Sequence, residues 1–306
     1  VTASNADLPE YADLPELPEL KMRHSWGLLP AGIGTLGLLT DEARLAAAHS
    51  VRTGQLVSLA VRTDEFDPPL FGRSALDHRV HESTRNIYED TLDGFNPQSA
   101  SQWDGLLHIR ARERGFYGGL TDLEEARRTL GMHHVGVLGI AGRGVLVDVP
   151  REWQARGRHW DPFSGSTVNS DDLAEILAGR GVELARGDIL CLRFGWLSAY
   201  RGLRDSGGDT TAVGDRFSGL AADDRTVEWL WNNRIAAIAA DNPAVEAAPG
   251  DAVVGSLHRK LLPGLGMSFA ELLDLDELAE LTAALSSRTF LFVAAPLPLA
   301  GGASST

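Results

Sequence analysis

The chain has 306 residues, with 28 Lys+Arg against 42 Asp+Glu and a formal net charge of −14, which excludes nucleic acid and anionic membrane surfaces as expected partners. A single cysteine excludes a disulfide framework and any cysteine-built zinc site within the chain. No apolar run reaches the length of a membrane span and no signal-type leader opens the sequence, so a soluble cytoplasmic protein is expected.

Residues 1–25 read as an acidic, Pro-rich arm in which LPE recurs between Leu8 and Leu20. Proline biases its predecessors toward extended backbone, so the arm is expected to run along a surface. GIGTLG at Gly32–Gly37 fits the dinucleotide fingerprint literally, but it lacks a leading strand and the acid expected about 20 residues later. It is read as a turn before a helix, and no nucleotide cofactor is expected. TDEARLAAAHS (Thr40–Ser50) predicts that helix, with Thr40 as N-cap and two acids in its first turn. DLEEARRTL (Asp122–Leu130), SDDLAEILAGRG (Ser170–Gly181) and DDRTVEWLWNNR predict three more.

The apolar runs GVLVDV (Gly144–Val149), ILCLRFGW (Ile189–Trp196), RIAAIAAD (Arg234–Asp241) and TFLFVAAPL (Thr289–Leu297) predict strands buried on both faces. Ala199–Gly219 is read as the longest irregular segment, and RGD at Arg186–Asp188 as a turn. With no linker and no repeat, the pattern is a mixed α/β chain in a single domain over residues 26–298, followed by a flexible tail at 299–306. P-loop, HExxH and GxSxG signatures are absent, which leaves a serine or cysteine nucleophile without support.

The polar residues of SQWDGLLH (Ser101–His108) carry the chemistry. Gln102 and Asp104 are two apart, so an extended segment points both to one face, and Gly105 permits a bend that returns His108. Downstream stand His258, in a segment closed by Pro263 and Gly264, and Glu271, placed in the first turn of a new helix. Two acids and two imidazoles form a hard-to-borderline metal set. Each also has a plain structural explanation: an Asp-Gly turn, a core histidine, a surface histidine, and a capping box at Ser268–Glu271.

Taken together these residues resemble the signature HxxxHxDxxxH of the putative cyclase family, which includes bacterial kynurenine formamidases and isatin hydrolases. The aspartate falls on Asp104 and the last histidine on His108, while the first two histidines fall on Gln98 and Gln102. A late His/Glu pair falls on His258 and Glu271, and GIGTLGLLT, RGVLVDV, RGDILCLRFGW and AADNPAVEA (Ala239–Ala247) also match. The resemblance implies an α/β fold with a mixed central sheet flanked by helices, assembled as a homodimer or homotetramer. It implies a metal-dependent hydrolase of an amide, lactam or ester bond, with Asp104, His258 and Glu271 on the metal and His108 in proton transfer.

Gln98 and Gln102 depart from that pattern and remove the nitrogen ligands of one site. One divalent ion is therefore expected, on Asp104, His258, Glu271 and Gln102, and the oxygen-rich set favours Mn or Mg over Zn. Trp103, Trp26, Tyr117 and Trp196 are candidates for an aromatic wall around a small-molecule substrate, joined by Gln98 and by Arg193 as a carboxylate or oxyanion holder. The alternatives are a ring-forming or ring-opening cyclase, or a silent small-molecule-binding homologue.

Overall fold

Helices begin where the sequence supplies a side-chain oxygen for the first free N–H groups. The computed structural model describes residues 8–285 and 287–306. In it Thr40 accepts from Ala43 N at 3.2 Å ahead of α1 (Asp41–Ala48), and Asp122 accepts from Glu125 N at 2.8 Å ahead of α2 (Leu123–Leu130). Next come α3 (His133–Leu138), α4 (Val149–Ala155) and α5 (Ser170–Gly179), the last opened by a reciprocal capping box of Asn169 and Asp172. α6 spans Trp196–Asp205, and Asp223 caps α7 (Asp224–Asn232). The short α8 (Leu257–Arg259) runs into a π-type turn at Lys260–Leu265, and α9 covers Asp276–Ala284.

The strands, in chain order, are β1 (Glu16–Leu17), β2 (Met22–Arg23), β3 (Asp77–Thr84), β4 (Ile87–Asp93), β5 (Gln102–Asp104), β6 (Ile140–Asp148) and β7 (Thr167–Val168). They continue with β8 (Ile189–Arg193), β9 (Gly219–Leu220), β10 (Ala237–Ala240), β11 (Phe269–Glu271), β12 (Thr289–Ala294) and β13 (Ser304–Ser305). Seven of them form one mixed sheet in the order β12-β6-β8-β10-β11-β5-β13. β6, β8, β10 and β11 are mutually parallel, whereas β12, β5 and β13 pair antiparallel. Ile189–Leu192 and Ala237–Ala240 are wholly buried, as parallel strands covered on both faces require. The sheet curls: Trp103 on β5 meets Phe292 on the distant β12 edge-on, with ring centroids 6.1 Å apart.

Several expectations are corrected. Ser268–Glu271 is no helix start, because Phe269–Glu271 is the buried strand β11, paired on both sides. Ala199–Gly219 is not irregular throughout, since α6 runs to Asp205 with Trp196, Leu197 and Tyr200 buried. The tail at 299–306 is not free: β13 pairs with β5, and Ser304 and Ser305 are buried. The strand in ILCLRFGW ends at Arg193, where Gly195 in left-handed backbone (φ 76°) turns the chain into α6. Of the expected arm, residues 1–7 lie outside the described residues. Residues from Leu8 onward lie against their own chain, with Trp231 Nε1 donating to the Pro9 carbonyl at 2.9 Å and Tyr11 N to Asn232 Oδ1 at 2.8 Å.

β3 and β4 make a separate hairpin whose strand residues are almost all exposed, Val80, Ile87, Tyr88 and Leu92 included. Its foot is tied by Ser74 Oγ, which donates to the Gly94 carbonyl at 2.9 Å, and by a bond from Arg73 to the Gln98 carbonyl.

Candidate metal centre

Register puts the polar groups on one face. In the antiparallel β5/β11 pair Gln102 stands opposite Glu271 and Asp104 opposite Phe269, so Gln102, Asp104 and Glu271 share a sheet face while Trp103 turns away. Gln102 Nε2 donates to Glu271 Oε2 at 2.5 Å. After Asp104 the chain bends: Gly105 N donates to the Ala303 carbonyl at 2.9 Å and His108 N to the Gly105 carbonyl at 3.0 Å. A Cβ on Gly105 would lie 2.5 Å from Met132 Sδ, so the bend needs glycine for space. It returns His108 Nε2 to 3.4 Å from Asp104 Oδ2. Gln98 Nε2 donates to Asp104 Oδ1 at 2.8 Å and lies 3.3 Å from His108 Nδ1.

His258 enters from α8. Its Nδ1 is 2.7 Å from Glu246 Oε1, which aims Nε2 at the cluster, 3.2 Å from Glu271 Oε1 and 3.9 Å from Asp104 Oδ2. Glu246 also accepts from the backbone N–H of Leu257 and His258 and thereby caps α8. Phe269 closes the other side of the imidazole, edge to face at 4.8 Å. Two buried non-glycine residues beside these groups hold left-handed backbone: Val245 (φ 57°) precedes Glu246, and Leu272 (φ 56°) follows Glu271. Such conformations persist only where the surroundings impose them. Here Asn242 Nδ2 donates to the Val245 carbonyl, and Ser101 Oγ donates to the Leu272 carbonyl at 2.7 Å.

Asp104, Gln102 and Glu271 are 1–2 % exposed. Asp104 Oδ2 and Gln102 Oε1 are buried without a hydrogen-bond partner among the described residues, and Glu271 Oε1 has His258 Nε2 at 3.2 Å. Burial and the neighbouring Glu271 charge push the Asp104 carboxyl up to about 6. Burial likewise pushes the His108 imidazole below its ordinary value, against the opposing pull of Asp104. Burial would lower His258 too, but its bonds to Glu246 and Glu271 outweigh that and hold it well above the usual histidine range. Glu246 is raised by burial, yet the bonds from His258 and the backbone prevail and its carboxyl ends below its ordinary value.

One ligand atom from each of Asp104, His108 and His258 falls within 4.8 Å of the others. The residues present fit a single divalent ion: the buried carboxylate oxygens Asp104 Oδ2 and Glu271 Oε1 lie 3.9 and 3.2 Å from His258 Nε2, on a ring already oriented from behind by Glu246.

A family model described as Putative cyclase matches residues 58–247. The chain belongs to that family. The match takes in Gln98 to His108 and Glu246, whereas His258 and Glu271 lie beyond it. A crystal structure described as a novel cyclase superposes with a TM-score of 0.77 at 29 % identity, covering 90 % of this chain and 94 % of that one. Isatin hydrolase A from Labrenzia aggregata, bound to benzyl benzoate, gives 0.55 at 15 % identity over 82 % of this chain and 90 % of that one. Isatin hydrolase A from Ralstonia solanacearum gives 0.55 at 15 % identity over 87 % and 94 %. These two show a common fold. No curated protein matches the sequence.

The cyclase fold thus brings Gln98, Gln102, Asp104, His108, His258 and Glu271 together. Each aromatic of the expected wall is engaged by other parts of the protein. Trp103 packs on Phe292 behind the sheet, and Trp196 is buried against Phe66 and Tyr200. The Tyr117 hydroxyl is 3.2 Å from Ser25 Oγ, and Trp26 Nε1 donates to the Pro263 carbonyl at 2.6 Å. Arg193 is corrected as a substrate holder: it is committed to Asp148 at 2.9 Å and Asp276 at 2.8 Å, a strand-end ion network. Sequence reasoning missed Glu246 and Arg73. The signal for Glu246 was an acid among the small apolar residues of AADNPAVEA, which also holds Asp241; Arg73 had none.

Proposed function

We propose that this cyclase-family protein is a metal-dependent hydrolase that opens an amide, lactam or ester bond in a small cyclic or aromatic metabolite. The buried Asp104 Oδ2 and Glu271 Oε1, 3.9 and 3.2 Å from His258 Nε2, carry the reading. Asp104, Glu271, His258 and Gln102 Oε1 would hold the ion, and the oxygen-rich donor set favours manganese or magnesium over zinc. When bound, the ion supplies Lewis-acid activation of water and of the scissile carbonyl. Glu246 keeps His258 in the tautomer that offers Nε2. His108, lowered by burial and neutral at pH 7, is in a state to accept a proton beside Asp104 and return it to the leaving group. The same carbonyl activation run in reverse would close a ring, so cyclisation belongs to this reading.

One observation favours a second reading, a small-molecule-binding homologue without turnover. The amides of Gln98 and Gln102 already give hydrogen bonds to Asp104 and Glu271, so the carboxylates are partly satisfied by protein alone. Elemental analysis of purified protein, before and after dialysis against chelator and re-addition of manganese, separates the two. The hydrolase reading expects close to one ion per chain, lost in Asp104→Ala. Wild-type protein that takes up no divalent ion and keeps its melting temperature in chelator would sink it.

A further inference from the structure

We infer that Arg73 anchors an anionic group of the substrate beside the metal cluster, distinct from the group that meets the metal, so that the site takes small molecules with two such groups in preference to those with one. The inference rests on the metal-dependent reading above and names its substrate class. Arg73 follows a tight turn in which Phe71 (φ 59°) and Gly72 (φ 66°) both hold left-handed backbone. For phenylalanine that conformation is unfavourable, because its Cβ crowds the backbone. Phe71 gains no burial from it, being 51 % exposed. What the turn does is set the Phe71 ring under the guanidinium, 5.0 Å from its centre, and so fix the direction of the Arg73 side chain.

That direction leads to the cluster. Arg73 Nη1 donates to the Gln98 carbonyl, and the Gln98 amide in turn reaches Asp104 Oδ1 and His108 Nδ1. Burial lowers the Arg73 guanidinium while the Glu271 and Asp104 charges draw it back up, and its own charge depresses His108. Arg143, Arg193 and Arg201, three other half-buried arginines, each grip a carboxylate at 2.6–2.9 Å, whereas Arg23, Arg186 and Arg259 pair with none among the described residues. Among the described residues Arg73 has no ion-pair partner, and its one hydrogen bond runs from Nη1 to the Gln98 carbonyl, which leaves Nε and Nη2 without a protein acceptor. A residue serving only to hold the Gln98 carbonyl would need one N–H. The planar fork left over is the geometry that binds a carboxylate with two parallel bonds.

The test uses manganese-loaded protein and four probes: benzoate, which carries one carboxylate, and phthalate, isophthalate and terephthalate, which carry a second at three spacings. Calorimetric Kd values should show at least one dicarboxylate binding about 10-fold or more tighter than benzoate. Arg73→Gln should erase that advantage and leave the benzoate Kd unchanged, with wild-type manganese content and melting temperature. Arg73→Lys should retain part of it, and keeps the comparison open if the glutamine variant folds poorly. Wild-type protein that loads manganese yet binds no dicarboxylate tighter than benzoate overturns the anchor alone. An advantage that survives in Arg73→Gln overturns it equally, whereas failure to take up manganese removes the underlying metal reading with it.

Discussion

Glu246 uses both carboxylate oxygens to fix His258: Oε1 meets Nδ1 at 2.7 Å, and Oε2 accepts from Leu257 N. Glu246→Gln keeps the size but exchanges one acceptor for a donor, so the ring loses its orientation. Manganese affinity should fall about 10- to 100-fold, read by calorimetry, with the fold retained. An unchanged affinity would show that His258 is held by other means. His108 calls for the opposite outcome: it lies on the more open side of the cluster, so His108→Ala should keep the metal and lose about 10²- to 10⁴-fold in turnover. Loss of metal in His108→Ala would make it a ligand instead. Asp104 and His108 were legible at this scale because a two-residue offset and one glycine fix their side of a strand. Glu246 and Arg73 were not, because nothing local shows that a left-handed Val245 or Phe71 will turn the next polar side chain inward.

Elements explain where the sequence misled. Ser268-x-x-Glu271 has the form of a capping box, yet these residues lie between β10 and β5 and satisfy their backbone across the sheet. Partners distant in sequence override a local signal of this kind. The helices with a capping Thr, Asp or Asn were legible because their signal and its outcome are only three residues apart. The hairpin at 77–93 went unseen since exposed strands show little of the burial alternation that marks a half-buried one. Arg193 closes β8 through Asp148, which is 1 % exposed, so Arg193→Ala leaves a buried carboxylate with less compensation. The expected cost is about 3–5 kcal/mol of stability in denaturant unfolding. Substrate KM should not move in that variant; a raised KM with unchanged stability would restore Arg193 as a binding residue.

Across the whole molecule, buried acids tie stability to pH. Asp104 has an ordinary value of 3.8 and is raised to about 6 in the fold, chiefly by burial. The folded state therefore holds the extra proton between those values, and this group's contribution to stability falls as pH rises through that window. Asp241, buried and raised to about 7, acts in the same direction whether or not metal is present. An ion on Asp104 cancels only the Asp104 part, so the melting-temperature gain on adding manganese should be larger at pH 7.5 than at pH 5. Differential scanning calorimetry at the two pH values checks this, and a gain that shrinks with rising pH would place the ion away from Asp104.

The pairing of β5 bears on how the site comes into being. Its three residues are held by β11 on one side and β13 on the other, and the Gln102–Glu271 bond alone joins residues 169 positions apart. Contacts of that span repay the entropy of closing the chain only after much else is in place. During refolding the cluster should therefore assemble late, behind the parallel core of β6, β8 and β10. A fluorescent or paramagnetic ion added to refolding protein would then report the final step of folding rather than the first.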